Sequence, residues 1–141
     1  MDVRSVMTAN PACCSADTAL RDVARMMVDN DCGQIPVVDA TNTPIGVVTD
    51  RDIAVRIVAE GRDPTSACAA DCITTPVTTV SEGSSLAACC DAMETSQVRR
   101  VPVVDANGSL CGIVSLADVA LSGRDQETAE VVKQVSEPTQ H

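Results

Sequence analysis

The chain has 141 residues, 45% of them apolar, which is enough for one compact domain or for two halves sharing a core. Twenty acidic residues against ten basic ones leave a net charge of −10, and Phe, Tyr and Trp are absent. That balance opposes phosphate backbones and anionic membranes, and it removes the aromatic platforms on which single-stranded nucleic acid stacks. No stretch approaches the roughly 20 apolar residues of a membrane span and no signal-peptide core is visible, so the expectation is a soluble, cytoplasmic protein that binds neither nucleic acid nor membrane.

In chain order, the segment 11–16 reads as an edge strand. Asp17 then stands as an N-cap before a helix whose apolar face is Leu20, Val23, Ala24 and Met27, at i, i+3, i+4 and i+7. Two β-branched runs follow, Ile35 to Val38 and Ile45 to Val48, and a second helix is predicted from Thr49 to about Ala59. The stretch 61–66 is a linker, after which the whole plan returns. An edge strand at 76–81 is followed by Ser84 as N-cap, then by the stripe Leu86, Cys89, Cys90 and Met93. Strands at 101–104 and 110–114 and a helix from Ser115 to about Leu121 complete the second pass. Asn107-Gly108 marks a hairpin turn, to which 39–44 is the longer counterpart.

The two passes are 66 residues apart throughout. Ile35-Pro36-Val37-Val38-Asp39-Ala40 returns as Val101-Pro102-Val103-Val104-Asp105-Ala106, and Gly46-Val47-Val48-Thr49 as Gly112-Ile113-Val114-Ser115. A duplicated strand, helix, strand, strand, helix unit is therefore predicted, in an α/β (α+β) fold whose copies pack as a pair. The boundaries are 1–60 for the first copy, 61–69 for the linker, 70–123 for the second copy and 124–141 for a polar tail. Val131, Val132 and Val135 in that tail have helical spacing.

Eight cysteines would suggest a disulfide scaffold in a secreted protein. The repeat argues otherwise for four of them: Cys32, Cys89, Cys90 and Cys111 stand where the other copy has Val98, Val23, Ala24 and Ile45. Cysteine at such places behaves as a small apolar residue. Cys13, Cys14, Cys68 and Cys72 remain open to a thiol or metal role, although Cys68 and Cys72 are not spaced as a usual zinc pair and the single histidine is His141.

The chemistry concentrates at the two predicted helix starts. Thr49 with Asp52, and Ser115 with Asp118, place a hydroxyl and a carboxylate three residues apart at a helix N-terminus. There the unpaired N–H groups favour an anion, and the carboxylate can accept from both hydroxyls of a ribose. The same spacing is also that of a capping box, in which hydroxyl and acid satisfy the helix itself. No base stands near a nucleophile and no phosphate-binding glycine loop is present, so no catalytic residue, metal site or required cofactor is expected and the chain does not read as an enzyme.

Over roughly Met1 to Leu121 these motifs resemble a tandem pair of cystathionine beta-synthase (CBS) domains, a Bateman module of the small stand-alone bacterial type. The resemblance is carried by the leading segments Val6-Met7-Thr8 and Ile73-Thr74-Thr75, by the hydrophobe-Pro-Val-Val-Asp strands, and by Thr49-Asp50-Arg51-Asp52-Ile53 and its partner at Ser115. It implies a pseudo-twofold pair of repeats holding AMP, ADP, ATP or S-adenosylmethionine as a regulatory ligand in clefts between the copies, disk-like homodimers, and an unknown protein partner. By the family pattern the basic residue two before Pro102, Arg100, faces the phosphates, while its counterpart Gln34 cannot, so two unequal sites are expected. Arg51 is a second candidate phosphate contact, or else a solvated residue paired with Asp50. Met7, Thr8, Ile35, Ile73 and Val101 complete the candidate ligand set, the apolar ones as adenine walls or as ordinary core. Two other functions stay open: a dimeric structural or adaptor protein that binds no nucleotide, and a thiol- or metal-responsive protein.

Overall fold

The structure, a computed structural model, describes residues 2–122, so the tail at 124–141 with its helical spacing lies outside the described residues. They form two compact units, one of residues 2–11 with 78–122 and the other of Ala12–Val77. After a short 3-10 turn at Val3–Ser5 come β1 (Thr8–Ala9), α1 (Leu20–Asn30), β2 (Gln34–Val38), β3 (Pro44–Thr49) and α2 (Asp50–Ile53). The second pass runs β4 (Val80–Ser81), α3 (Leu86–Ser96), β5 (Arg100–Val104), β6 (Leu110–Ser115) and α4 (Leu116–Leu121). The duplicated plan is therefore realised in both copies.

Residues 2–11 belong to the unit built around the second copy. There β1 pairs antiparallel with β6, Thr8 opposite Ile113 and Ala9 opposite Gly112, in a sheet of order β1-β6-β5-β4. Val3 is fully buried in that unit's core, and its N–H donates to the Ser84 carbonyl at 2.8 Å. The unit Ala12–Val77 repeats the arrangement in shorter form. Its β2–β3 hairpin is flanked by a parallel bridge of Cys14 to Val37 and an antiparallel bridge of Thr74 to Val47. The predicted edge strand at 11–16 is thus a single bridge, because Ser15 and Thr18 exchange main-chain and hydroxyl bonds and turn the chain away.

The two cores are aliphatic and thiol-rich. In one, Leu20, Val23 and Met27 of α1 pack with Ile35, Val37, Val48 and Ile57; in the other, Cys89, Cys90 and Met93 of α3 pack with Val101, Val103, Val114 and Val119. Cys89 and Cys90 bear out their reading as apolar residues, whereas Cys32 and Cys111 are only half-buried. Each fully buried aliphatic side chain stabilises its unit by about 1.5–3 kcal/mol.

Three local expectations are corrected. Asp17 does not cap α1: the N-cap is Ala19, which makes no side-chain bond, and the N–H groups of Leu20 and Arg21 donate instead to the main-chain carbonyls of Ala67 and Pro64. The second cap is Ser85 rather than Ser84, with its Oγ accepting from Ala88 N–H at 3.1 Å. The loops at 39–43 and 105–109 are equal in length, and neither is a two-residue Asn-Gly turn. Each is organised by the carboxylate of its first residue, Asp39 or Asp105, accepting main-chain N–H groups within the loop. Its one left-handed residue is Asn42 or Gly108.

Gly46 and Gly112 occupy matched places on β3 and β6, where the leading segments cross them. A methyl group at Gly46 would lie 2.6 Å from the Ile73 side chain and 2.8 Å from the Thr74 carbonyl; at Gly112 it would collide with the Met7 thioether and lie 3.1 Å from the Thr8 carbonyl. We expect Gly46→Ala to cost about 1–3 kcal/mol in urea unfolding followed by far-UV circular dichroism, and Gly112→Ala to cost less because a methionine adapts more readily. Equal stability of wild type and Gly46→Ala would show that the leading segment is not tightly seated.

Candidate functional site

Each hairpin ends in a residue that is both the last of a strand and the first cap of a helix. Thr49 Oγ1 accepts from Asp52 N–H at 3.0 Å, and Thr49 N–H donates to Asp52 Oδ2 at 2.9 Å. Ser115 Oγ accepts from Asp118 N–H at 3.1 Å, and Ser115 N–H donates to Asp118 Oδ2 at 2.9 Å. Both pairs are therefore complete capping boxes, each contributing on the order of 1 kcal/mol to its helix. Capping does not use up an acid: a carboxylate has about four acceptor positions, and the box occupies one.

The two acids differ in what else they hold. Asp52 is 8% exposed and accepts the Thr74 hydroxyl at 3.0 Å on Oδ1 and 2.9 Å on Oδ2, with Arg56 Nε 3.8 Å from Oδ1. Arg56 stands on a π-helical continuation of α2, Ala54–Val58, and its Nη1 donates to the Ile73 carbonyl at 3.1 Å. Asp118 is half-buried and, among the described residues, makes no side-chain bond outside its capping box. It lines an open cleft of about 360 Å³ together with Ser5, Val6, Leu121 and Ser122. That volume is within the range of small-molecule sites.

Arg100 lies directly opposite Ser115 in the β5–β6 ladder, so the two side chains share a sheet face. It is half-buried, its neighbour Arg99 is exposed, and Arg100 forms no ion pair among the described residues. Gln34 holds the matching place opposite Thr49. Arg51 is exposed and solvated, and it is not paired with Asp50 through its side chain; its N–H donates to Asp50 Oδ1 at 2.8 Å. Met7 packs on Gly112, Ile73 on Gly46, and Thr8 is exposed on β1. Ile35 and Val101 are fully buried in their cores. The structure thus brings Ser115, Asp118 and Arg100 into one unit with Met7 and Thr8, and Thr49, Asp52 and Ile73 into the other. Sequence reasoning missed Thr74 and Arg56. Arg56 was detectable as the i+4 partner of Asp52, whereas Thr74 is near only through the fold.

None of the eight cysteines is in a disulfide. Burial, and then the neighbouring Cys13 and Cys72, push the Cys14 thiol up to about 12; burial, and then Cys90, do the same to Cys89. Cys13 and Cys72 are raised as well, first by burial. Thiols so disposed carry little thiolate, the form that attacks or binds metal. Among the described residues no group of three or more His, Cys, Asp and Glu is arranged to hold a metal ion, and no helix is long and apolar enough to cross a membrane.

Two α/β repeats, each with a strand running into a helix through a hydroxyl–carboxylate box, define a tandem-repeat module. The chain belongs to the CBS domain family, whose profile matches residues 3–59 and 69–122. It is 34% identical over 116 residues to the protein MK0525 of Methanopyrus kandleri, covering 82% of this chain and 57% of that protein's length. It is 32% identical over 135 residues to hypoxic response protein 1 of Mycobacterium tuberculosis, covering 96% and 94%. The crystal structure of hypoxic response protein I, with two coordinated zinc ions, superposes with a TM-score of 0.79 at 33% identity, covering 86% of this chain and 98% of that one. The CBS domain pair of MJ0100, solved with 5′-methylthioadenosine and S-adenosyl-L-methionine, has a TM-score of 0.77 at 21% identity and covers 87% and 99%. CBSX2 in complex with AMP has 0.74 at 24%, covering 89% and 98%.

Two measurements follow from this geometry. Asp52→Ala removes a cap, a hydroxyl bond and an ion pair from a buried place, and is expected to cost about 3 kcal/mol, against about 1 kcal/mol for Asp118→Ala. Equal losses in urea unfolding would contradict the difference between the acids. The raised thiols also set an alkaline limit. A folded value near 12 against an ordinary 9.0 means that the stability they contribute is complete below pH 9 and is lost as pH rises toward 12. The unfolding midpoint of reduced protein should therefore fall above pH 9, and less so in Cys14→Ala.

Proposed function

We propose that this chain is a regulatory module that binds an adenosyl ligand, AMP, ADP, ATP or S-adenosylmethionine, and through that binding alters an unidentified protein partner. The reading rests on Asp118, a capped acid with acceptor positions to spare on an open cleft, and on Arg100, which lies opposite Ser115 and forms no ion pair among the described residues. In it, Asp118 accepts from the ribose hydroxyls, Arg100 neutralises phosphate, and Ser115 orients the acid. Met7, Val6 and the exposed Leu121 at the end of α4 flank the base. MJ0100 and CBSX2, which share the fold, were crystallised with such ligands, and this supports the ligand class. The role is one of binding rather than catalysis. Eight cysteines with no disulfide among them support a reducing, cytoplasmic compartment, and the exposed Val55, Val58 and Leu121 support homodimer formation through the last helices of the copies.

A ligand alters a partner only through unequal affinity for two arrangements, so binding must be measurable by itself. Thermal unfolding of reduced protein should rise by several degrees with ligand at 100 times its Kd, which corresponds to about 2.7 kcal/mol. The shift should vanish in Asp118→Ala, weaken for AMP in Arg100→Ala, and weaken with 2′-deoxy-AMP in place of AMP. The completeness of both capping boxes favours the second reading, an adaptor that binds no nucleotide. No shift with any of the four ligands, and variants that are merely less stable, would establish that reading instead.

A further inference from the structure

In the unit built around the first copy, the junction acid is already occupied by the protein. Thr74 donates to both oxygens of Asp52, Arg56 stands 3.8 Å away, and Arg56 is itself anchored on the Ile73 carbonyl. At the matching places of the other unit stand Thr8 and Ser122. Thr8 is exposed and makes no side-chain hydrogen bond among the described residues, and the Ser122 hydroxyl turns back to the Val119 carbonyl at 2.6 Å. The π-helical turn that carries Arg56 begins at Ala54, whereas the matching Ala120 still lies within α4, which is α-helical to Leu121.

From this difference we infer that Arg56 and Thr74 are specificity-determining residues that close Asp52 to a ribose, leaving a one-site sensor whose competent acid is Asp118. The inference rests on the adenosyl reading above. A sugar diol approaching Asp52 would have to displace a charged hydrogen bond and an ion pair in order to make bonds of the same kind, at a carboxylate with little access to solvent. The exchange returns no net stabilisation. At Asp118 a diol adds bonds to acceptor positions that no group among the described residues holds. Thr74 and Arg56 thus do for Asp52 what a bound sugar would do for Asp118.

The test is a titration of the reduced full-length chain with AMP and with S-adenosylmethionine, reading sites per chain by calorimetry. The expected result is one site in the wild type, with affinity at least tenfold lower in Asp118→Asn. Arg56→Met combined with Thr74→Val should bind a second equivalent, which is lost again when Asp52→Asn is added. Two sites in the wild type, a single site that survives Asp118→Asn, or a folded double variant that still binds one equivalent would each overturn the inference while leaving the adenosyl reading intact. Should the double variant not fold, the wild-type and Asp118→Asn titrations decide alone. No binding of either ligand at millimolar concentration overturns the adenosyl reading, and this inference with it.

Discussion

Each hairpin is completed along its β3 or β6 edge by a segment that, in the chain, precedes the other copy, and most of the structure depends on that exchange. Residues 2–11 close the edge of β6, and the residues around Thr74 close the edge of β3. The exposed main-chain groups of an edge strand need partners, and a closely seated neighbour requires that the strand carry no side chain at the crossing. Gly46 and Gly112 meet that requirement at matched positions, under Ile73 and Met7. The linker contributes in the same way, capping α1 through the carbonyls of Pro64 and Ala67 where no side chain does so.

The same exchange creates the inequality between the two acids. Both belong to capping boxes made of residues three apart, so their local geometry is nearly identical. What separates them arrives from elsewhere: Thr74 from the segment that closes β3, and Arg56 from the wider turn that prolongs α2. Asp52 is surrounded by a hydroxyl and a guanidinium, whereas Asp118 lines an open cleft. The surroundings of the two acids thus differ, and to the contrast of Arg100 with Gln34 the structure adds Arg56 and Thr74, in the unit that lacks the strand arginine.

A core without aromatic side chains is filled here by β-branched residues, leucine, methionine and thiols. Cys89 and Cys90 sit where the other copy has Val23 and Ala24; both are buried, and burial pushes the Cys89 thiol up. Cys14 and Cys72 serve the other core in the same way. Cys14 and Cys89 therefore act in packing, since a thiol whose ionisation is suppressed is a poor nucleophile and a poor ligand.

Much of this was legible in the chain itself. The offset between Pro36 and Pro102, and between Gly46 and Gly112, determined the duplicated plan, because a repeated period marks a repeated supersecondary unit. The i, i+3, i+4 and i+7 stripes determined the buried faces of α1 and α3, and the spacing of Thr49 to Asp52 and Ser115 to Asp118 determined the capping boxes, since all of these depend on neighbours within one or two turns. Sequence alone did not determine that Asp17 is not a cap, that residues 2–11 join the second copy's unit, that Ile35 and Val101 are interior, or that Thr74 reaches Asp52. Each of these depends on groups far apart in the chain, whose proximity is decided by which edge a strand closes and which carbonyl satisfies a helix end. Hydrogen-bond partners at such distances leave no period or spacing to read, and only the tertiary structure brings them together.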